Sequence, residues 1–222
     1  ANVDLNLNKI GDGVYEIASK EDMIFLSNAV NAGYNTEEKS FILTEDITLK
    51  TSDGFKPIGT VVNPFYGMFD GQNHTVTLDI EVEVEDNIAL AGIFGVVKKS
   101  GPIEDKYGTV KNVRTAGKVI STGTTGYAGA IFAKRNDGNF VVDNCHNTAD
   151  ITASDYAGGI AGYSSGNVQN STAKGYIKSS ADYVGGIIGR NGGYINNCSV
   201  SDIHVKGSSY IGGITGSGGT IY

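Results

Sequence analysis

Apolar and polar residues alternate with a period of two over short stretches of the chain, and tight-turn residues separate those stretches. The longest clean alternation is TVTLDIEVEV at residues 75–84. From residue 110 onwards the stretches are shorter, and each ends at Gly, Asn, Asp or Ser. No apolar spacing of about 3.6 residues runs through this part, so helices are not expected there. The pattern predicts an all-β region of many short strands joined by tight turns.

One seven-residue motif recurs in this region, as YAGGIAG at 156–162, YVGGIIG at 183–189 and YIGGITG at 210–216. The tyrosines that open the copies are 29, 27 and 27 residues apart: Tyr127, Tyr156, Tyr183 and Tyr210. Self-similarity at such a period is the sign of stacked structural units. Three extended pieces per repeat fit one turn of a solenoid, and we predict a right-handed parallel β-helix of about five or six turns.

Equivalent residues of successive turns should then stack about 4.8 Å apart, as neighbouring strands do. Alternation within the motif places Tyr183, Gly185, Ile187 and Gly189 on one face, which we predict to point into the interior. The same reasoning gives an aliphatic ladder of Ile160, Ile187 and Ile214. A row of tyrosines is a stabilising device in stacked strands, although exposed rings also offer flat apolar faces to a sugar.

A second aligned stretch of each repeat contains an asparagine in a turn-like context. The aligned residues are Asn112, Asn144, Asn170 and Asn197. Asparagine tolerates the left-handed backbone of a turn, and stacked Asn side chains stabilise in-register strands. We therefore predict an asparagine ladder with a structural role.

The two cysteines, Cys145 and Cys198, occupy the same position of the repeat two turns apart. Strand spacing puts their Cα atoms roughly 9–10 Å apart, beyond the separation of about 7 Å that a disulfide can bridge. We predict two free, buried thiols.

The first part of the chain lacks the motif and contains the pattern of one amphipathic helix. In SKEDMIFLSNAVNAG at 19–33, Ser19 suits the N-cap, Glu21 and Asp22 suit the first turn, and Gly33 ends the pattern. A helix here would cover the first turn of a repeat array. We assign residues 1–38 to this cap and residues 39–222 to the β-helix, with an exposed loop at 98–108 and a last turn expected to continue beyond Tyr222.

Composition narrows the functions that the chain can have. There are 32 Gly and 3 Pro in 222 residues, which fits neither collagen nor a low-complexity tract. The net charge is −7, and the 17 Lys and Arg residues form no stripe, so nucleic acid is not an expected partner. The apolar runs are too short for a membrane span of about 20 residues.

No motif for catalysis or for a bound ion stands out. The zinc pattern His-Glu-x-x-His is absent, and His74, His146 and His204 lie in unrelated contexts. Carbohydrate cleavage needs converging carboxylates, and we interpret the recurring acids as turn residues: Asp70, Asp143, Asp150, Asp155, Asp182 and Asp202. We predict no catalytic, cofactor-binding or metal-binding residues and no cofactor.

The repeated Gly-Gly-Ile-x-Gly at 158–162, 185–189 and 212–216 resembles the GLUG-repeat family. The upstream order of LSNAVNAG, FILTEDITL, KPIG and FYGMFDGQNHTV is also similar to that family's amino-terminal region, so the resemblance covers roughly residues 20–216. Ala91, Ala130 and Ala133 depart from it where glycine is expected. The resemblance implies an extracellular or cell-surface bacterial protein, with its signal peptide removed.

The function expected from that resemblance is a non-catalytic module, adhesive towards a host glycan or protein ligand, or a rigid spacer. Two alternatives remain open from the sequence. One is the substrate-positioning region of a larger secreted peptidase, since the family includes the non-catalytic regions of IgA1-type metallopeptidases. The other is a carbohydrate-active β-helix.

Overall fold

The computed structural model describes residues 5–102, 105–135 and 139–222, and it describes the backbone but not the side chains of residues 85–87. Almost all regular structure is parallel β-sheet, wound into a solenoid of about seven turns. This confirms the predicted fold class, with more turns than the five or six expected. The predicted loop at 98–108 lies partly outside the described residues.

Within the described residues the first sheet has nine strands, and all neighbours are parallel except the first pair, which is antiparallel. In spatial order its strands are Lys9–Gly11, Val14–Ile17, Ser40–Leu43, Met68–Asp70, Thr109–Lys111, Val141–Asp143, Asn167–Gln169, Tyr194–Asn196 and Thr220–Ile221. One residue of each inner strand points into the core, in register from Phe41 through Phe69 and Val110 to Ile195.

The second sheet has five strands, and the third has ten. Those of the second are Phe94–Val97, Phe132–Arg135, Ala161–Ser164, Ile188–Asn191 and Thr215–Ser217. Those of the third are Ile47–Lys50, Thr75–Ala91, Arg114–Ala128, His146–Asn147, Asp150–Ala153, Tyr156–Gly158, Thr172–Ser179, Val184–Gly185, Ser199–Lys206 and Ile211–Gly212. A short 3₁₀ helix follows the third sheet's first strand at Thr51–Asp53.

The helix predicted near the amino terminus is confirmed at Lys20–Asn31. Ser19 is its N-cap, since its side-chain oxygen accepts a 3.2 Å hydrogen bond from the backbone N–H of Asp22. Met23, Leu26 and Val30 are fully buried and join the core of the solenoid. The helix therefore packs over the first turns as a cap. Among the described residues no helix is long and apolar enough to cross a membrane.

Candidate functional site

The repeated motif turns a corner between the third and second sheets. In the copy at 183–189, the strand Val184–Gly185 ends the third sheet and Ile188 begins the next strand of the second. The corner needs glycine, because a Cβ at Gly185 would lie 2.0 Å from the backbone oxygen of Ile188. A change of direction at this point interrupts the simple in-and-out alternation of side chains.

That corner corrects the predicted orientation of the motif. Ile160 and Ile187 are fully buried as the aliphatic ladder requires, and Ile214 on the last turn is half-buried. Tyr156, Tyr183 and Tyr210, however, are partly or largely exposed, and Tyr127 is the buried end of the row. The residues that follow the first three tyrosines, Ala128, Ala157 and Val184, are fully buried. Tyrosine and isoleucine are on opposite faces because the Gly-Gly corner lies between them.

The four tyrosines form a continuous stack along the solenoid. Ring centroids are 4.3 Å apart for Tyr127 and Tyr156, 4.9 Å for Tyr156 and Tyr183, and 4.8 Å for Tyr183 and Tyr210. The interplanar angles are 3°, 1° and 9°. Exposure rises along the stack, from 8% at Tyr127 to 56% at Tyr210. The inner rings cover one another's faces, so the surface displays mainly ring edges and hydroxyl groups.

A second row lies beside this stack, at the position after the motif's last residue. It consists of the register partners Lys134, Tyr163 and Arg190 in the second sheet. The guanidinium carbon of Arg190 lies 5.3 Å from the ring centroid of Tyr183 and 5.7 Å from that of Tyr163, within range of a cation–π contact. The positive charge of the same guanidinium also reaches Tyr156 and acts to lower the pKa of its phenol, against the larger effect of burial. We call Tyr156, Tyr163, Tyr183, Tyr210 and Arg190 the tyrosine–arginine face.

Sequence reasoning missed Arg190 and Lys134, although a signal was present. The position after the motif is Lys134, Tyr163 and Arg190 in three successive copies, and a large polar residue there points outward. Lys134 extends the row, with its Nζ 5.1 Å from the ring centroid of Tyr127.

Two carboxyl groups border the tyrosines, Asp155 and Asp182 at equivalent positions of adjacent turns. Burial raises the pKa of Asp155, and the nearby charge of Asp182 raises it further. Burial and the charge of Asp155 also raise the pKa of Tyr156. Burial also raises the pKa of Tyr127, so the phenols of Tyr127 and Tyr156 stay protonated at neutral pH and can donate hydrogen bonds.

The other acidic residues singled out in the sequence are engaged in structural contacts. Asp143 accepts from Asn170 at 2.8 Å, and Asp150 accepts from the backbone N–H of Tyr176 at 2.9 Å. Asp202 pairs with Lys174 at 3.7 Å. Asp70 is buried and accepts a 3.0 Å hydrogen bond from Asn112. Only Asp155 and Asp182 border the tyrosine stack, and the described residues contain no cluster of three potential metal ligands.

The asparagines lie in the turns that follow the first sheet, each with left-handed backbone at φ between 49° and 56°. Side-chain amides join the turns: Asn144 donates to Asn112 at 2.8 Å, and Asn197 donates to Asn170 at 2.8 Å. His146 completes this network, with its Nδ1 2.9 Å from the Thr172 hydroxyl and its Nε2 2.8 Å from the Asn144 side-chain oxygen. Burial lowers the pKa of His146, with a smaller contribution from Arg114.

The cysteines are both free. Cys145 is fully buried, and burial raises the pKa of its thiol to about 12. Cys198 is only partly buried, which corrects the prediction of two buried thiols. The reason is position, because Cys198 lies on the final turn and no other described part of the chain packs on its outer side.

Comparison with known proteins supports the fold but does not identify a function. No protein-family model matches the chain, and no curated protein matches it. One similar solved structure, from Bacteroides ovatus, is described as "a putative immunoglobulin A1 protease". It matches with a TM-score of 0.62 and 23% sequence identity, over 90% of this chain and 70% of that one. At this identity the likeness shows a shared β-solenoid, and membership of the GLUG-repeat family stays a prediction.

Proposed function

We propose that this chain is a non-catalytic binding module of a secreted or surface-attached bacterial protein, and that its tyrosine–arginine face contacts a protein ligand. The observation that carries the proposal is the composition of that face. Tyrosine and arginine are the residues most enriched at the energetic centres of protein interfaces. Here they are exposed together, and stacking holds them in place before any ligand arrives.

The stacking geometry favours a protein over a neutral sugar. A sugar ring packs on the face of an aromatic ring, and in this stack the inner faces are covered by neighbouring tyrosines 4.3–4.9 Å away. Hydroxyl edges and a guanidinium remain, which suit backbone carbonyls and carboxylates. Tyr127 and Tyr210 are the end rings of the stack, and of these two Tyr210 is the exposed one.

A rigid support is consistent with this role. A parallel ladder ties each strand of the face to the turns on either side, as Tyr156 is paired with Tyr127 and Tyr163 with Arg190. Side chains held in this way lose little conformational entropy on binding. A rigid spacer without a ligand would need the scaffold but not the exposed Tyr and Arg side chains.

A second candidate follows from the similar structure described as "a putative immunoglobulin A1 protease". The chain would then be the substrate-positioning region of a larger secreted peptidase, and its tyrosine–arginine face would hold the protein to be cleaved. A carbohydrate-active role is a weaker candidate, because it rests on Asp155 and Asp182 alone.

The test is a binding screen of the purified chain against immunoglobulin A1, a set of extracellular host proteins and a glycan array. Hits are repeated with the double variant Arg190→Ala/Tyr210→Ala, whose side chains are exposed and whose loss should leave the fold intact. We expect a protein ligand whose affinity falls about 30-fold or more in this variant, as at an interface hot spot.

Tyr194→Ala is the matched control, because Tyr194 is also exposed, at 51%, but belongs to the first sheet. It should bind within about twofold of the unmodified chain. An equal loss in the control and the double variant would place the binding surface elsewhere. Binding only to neutral glycans would contradict the argument from ring stacking.

A further inference from the structure

Outward-facing charges on the third sheet are paired from one turn to the next. Lys118 lies 3.3 Å from Asp79, its register partner on the preceding turn. Lys174 lies 3.7 Å from Asp202 on the following turn. The sheet therefore tends to place a carboxylate opposite each lysine, which is the favourable arrangement for cross-strand neighbours.

Lys178 and Lys206 break this rule. They are direct register partners on adjacent parallel strands, and both are exposed. Neither takes part in an ion pair with a described residue. Like charges directly opposite each other destabilise a sheet, and a chain with 24 acidic residues has carboxylates available for pairing. The unpaired positive charges of Lys178 and Lys206 are therefore expected to destabilise this sheet.

The two lysines border a recess of about 370 Å³ on the same face. Besides the two lysines and Ala153, it is lined by serine and threonine residues of neighbouring turns: Ser121, Thr122, Thr152, Ser154, Ser179 and Ser180. The volume falls within the usual range for small-ligand sites, about 300–1,000 Å³. The nearest carboxyls along the chain are Asp182 and Asp202. Asp182 lies beside Asp155, and Asp202 pairs with Lys174.

We propose that this recess binds an acidic saccharide, with Lys178 and Lys206 together contacting one sulfate or carboxylate group. An anion between the lysines would offset their mutual repulsion, which no carboxylate of the chain does. The hydroxyls of Thr122 and Thr152 can donate to and accept from the hydroxyls of a sugar. Those of Ser121, Ser154 and Ser179 are buried or bonded to backbone oxygens. The alkyl stems of the two lysines supply apolar surface for the C–H groups of a sugar ring.

Other anionic ligands fit the recess less well. A nucleic acid would bring a run of phosphates against a chain of net charge −7. An acidic peptide would need apolar or aromatic anchors, and Ala153 is the sole apolar residue among those lining the recess. This site is separate from the tyrosine–arginine face, so it stands or falls independently of the proposed function.

The test is titration calorimetry of the whole chain with three tetrasaccharides: a sulfated one from heparin, tetragalacturonate, and neutral maltotetraose. We expect at least one acidic probe to bind and maltotetraose to fail. Binding of tetragalacturonate shows that a carboxylate is sufficient, whereas binding of the heparin probe alone points to sulfate, because both probes carry carboxylates. Affinity should fall as salt rises from about 50 to about 300 mM, because the contact is ionic and exposed.

Lys178→Gln/Lys206→Gln is the deciding variant, and Lys118→Gln/Lys174→Gln is its control with the same change of net charge. We expect the first to weaken binding about tenfold or more per lysine and the second to change it by less than about threefold. Equal losses would mean diffuse attraction and would overturn the site. Equal binding of the neutral probe, or no binding of either acidic probe, would also overturn it.

Stability provides a second readout that does not depend on the ligand. Without ligand, Lys178→Gln/Lys206→Gln should be as stable as the unmodified chain or slightly more stable, because it removes a like-charge contact. A marked loss of stability in urea would show that the two lysines have a structural partner, and the premise of the proposal would fail.

Discussion

The first turns and the repeated turns of this solenoid both use aromatic rings, but in opposite ways. In the first turns the rings are inside, fully buried, and meet at varied angles: Phe65 and Phe94 at 43°, Phe69 and Phe94 at 75°. In the repeated turns the tyrosine rings are parallel within 9°, and they become exposed along the stack after Tyr127. The interior there is filled mainly by Ile, Val and Ala, with Phe132 and Phe140 on the first of these turns.

The difference follows from the repeat itself. Identical residues in register must stack at the spacing of the strands, about 4.8 Å, and flat rings at that spacing can only lie parallel. Where residues differ from turn to turn, rings can interlock at the tilted and edge-on angles that fill a core well. Irregular sequence thus permits an aromatic core, and regular sequence favours an aromatic surface.

The largest effect should come from removing one of the buried aromatic rings of the first turns. Phe94→Ala deletes a fully buried side chain that contacts two other rings, and we expect a loss of about 3–5 kcal/mol in the free energy of unfolding. Tyr183→Ala removes a ring of the outer set, and we expect about 1 kcal/mol. Urea denaturation of both variants measures the contrast. Similar losses in the two would contradict the division into a core set and a surface set.

The second effect concerns the corner glycines of the repeated turns. A Cβ at Gly186 would lie 2.0 Å from the backbone oxygen of Gly213, whereas one at Gly213 would meet nothing within 4 Å. Gly186→Ala should therefore cost about 1–3 kcal/mol through overpacking. Gly213→Ala, at the same motif position one turn later, should be nearly neutral. If thermal denaturation gives the same loss for both, flexibility of glycine and not close approach explains the motif.

The smallest effect is a pH dependence within the asparagine network of the repeated turns. The pKa of His146 is lowered in the folded chain, so protonation favours the unfolded state. Its stabilising contribution is present above the unfolded pKa of about 6.5 and is lost as pH falls through the lower folded value. Between about pH 7.5 and about pH 5, the unmodified chain should lose more stability than His146→Gln. Parallel pH profiles would refute this role for His146.

Much of the fold could be predicted because the same residue types recur at equivalent positions of successive turns. The period of 27 residues predicted the solenoid, and aligned positions predicted that the isoleucines, tyrosines and asparagines occupy equivalent places. The cap was predictable from Ser19 and the helical apolar spacing that follows it. The number of turns was less accessible, because strands such as Met68–Asp70 belong to turns that lack the motif.

The candidate binding surfaces were far less predictable. Arg190 and Lys134 fall just outside the recognised motif, and the pairing of Lys178 with Lys206 depends on register across strands that differ in sequence. The predicted burial of the tyrosines was wrong for Tyr156, Tyr183 and Tyr210, because alternation was carried through the corner at Gly185 and Gly186.

The sequence by itself determined that equivalent residues of successive turns stack on one another. A fixed period with turn-forming residues favours parallel strands in register. Tertiary structure decided which side of each strand faces the interior and which charges meet. Those outcomes depend on where the backbone bends and on what the neighbouring turn places opposite each residue. Neither is a property of one repeat, because both arise only when the turns pack together.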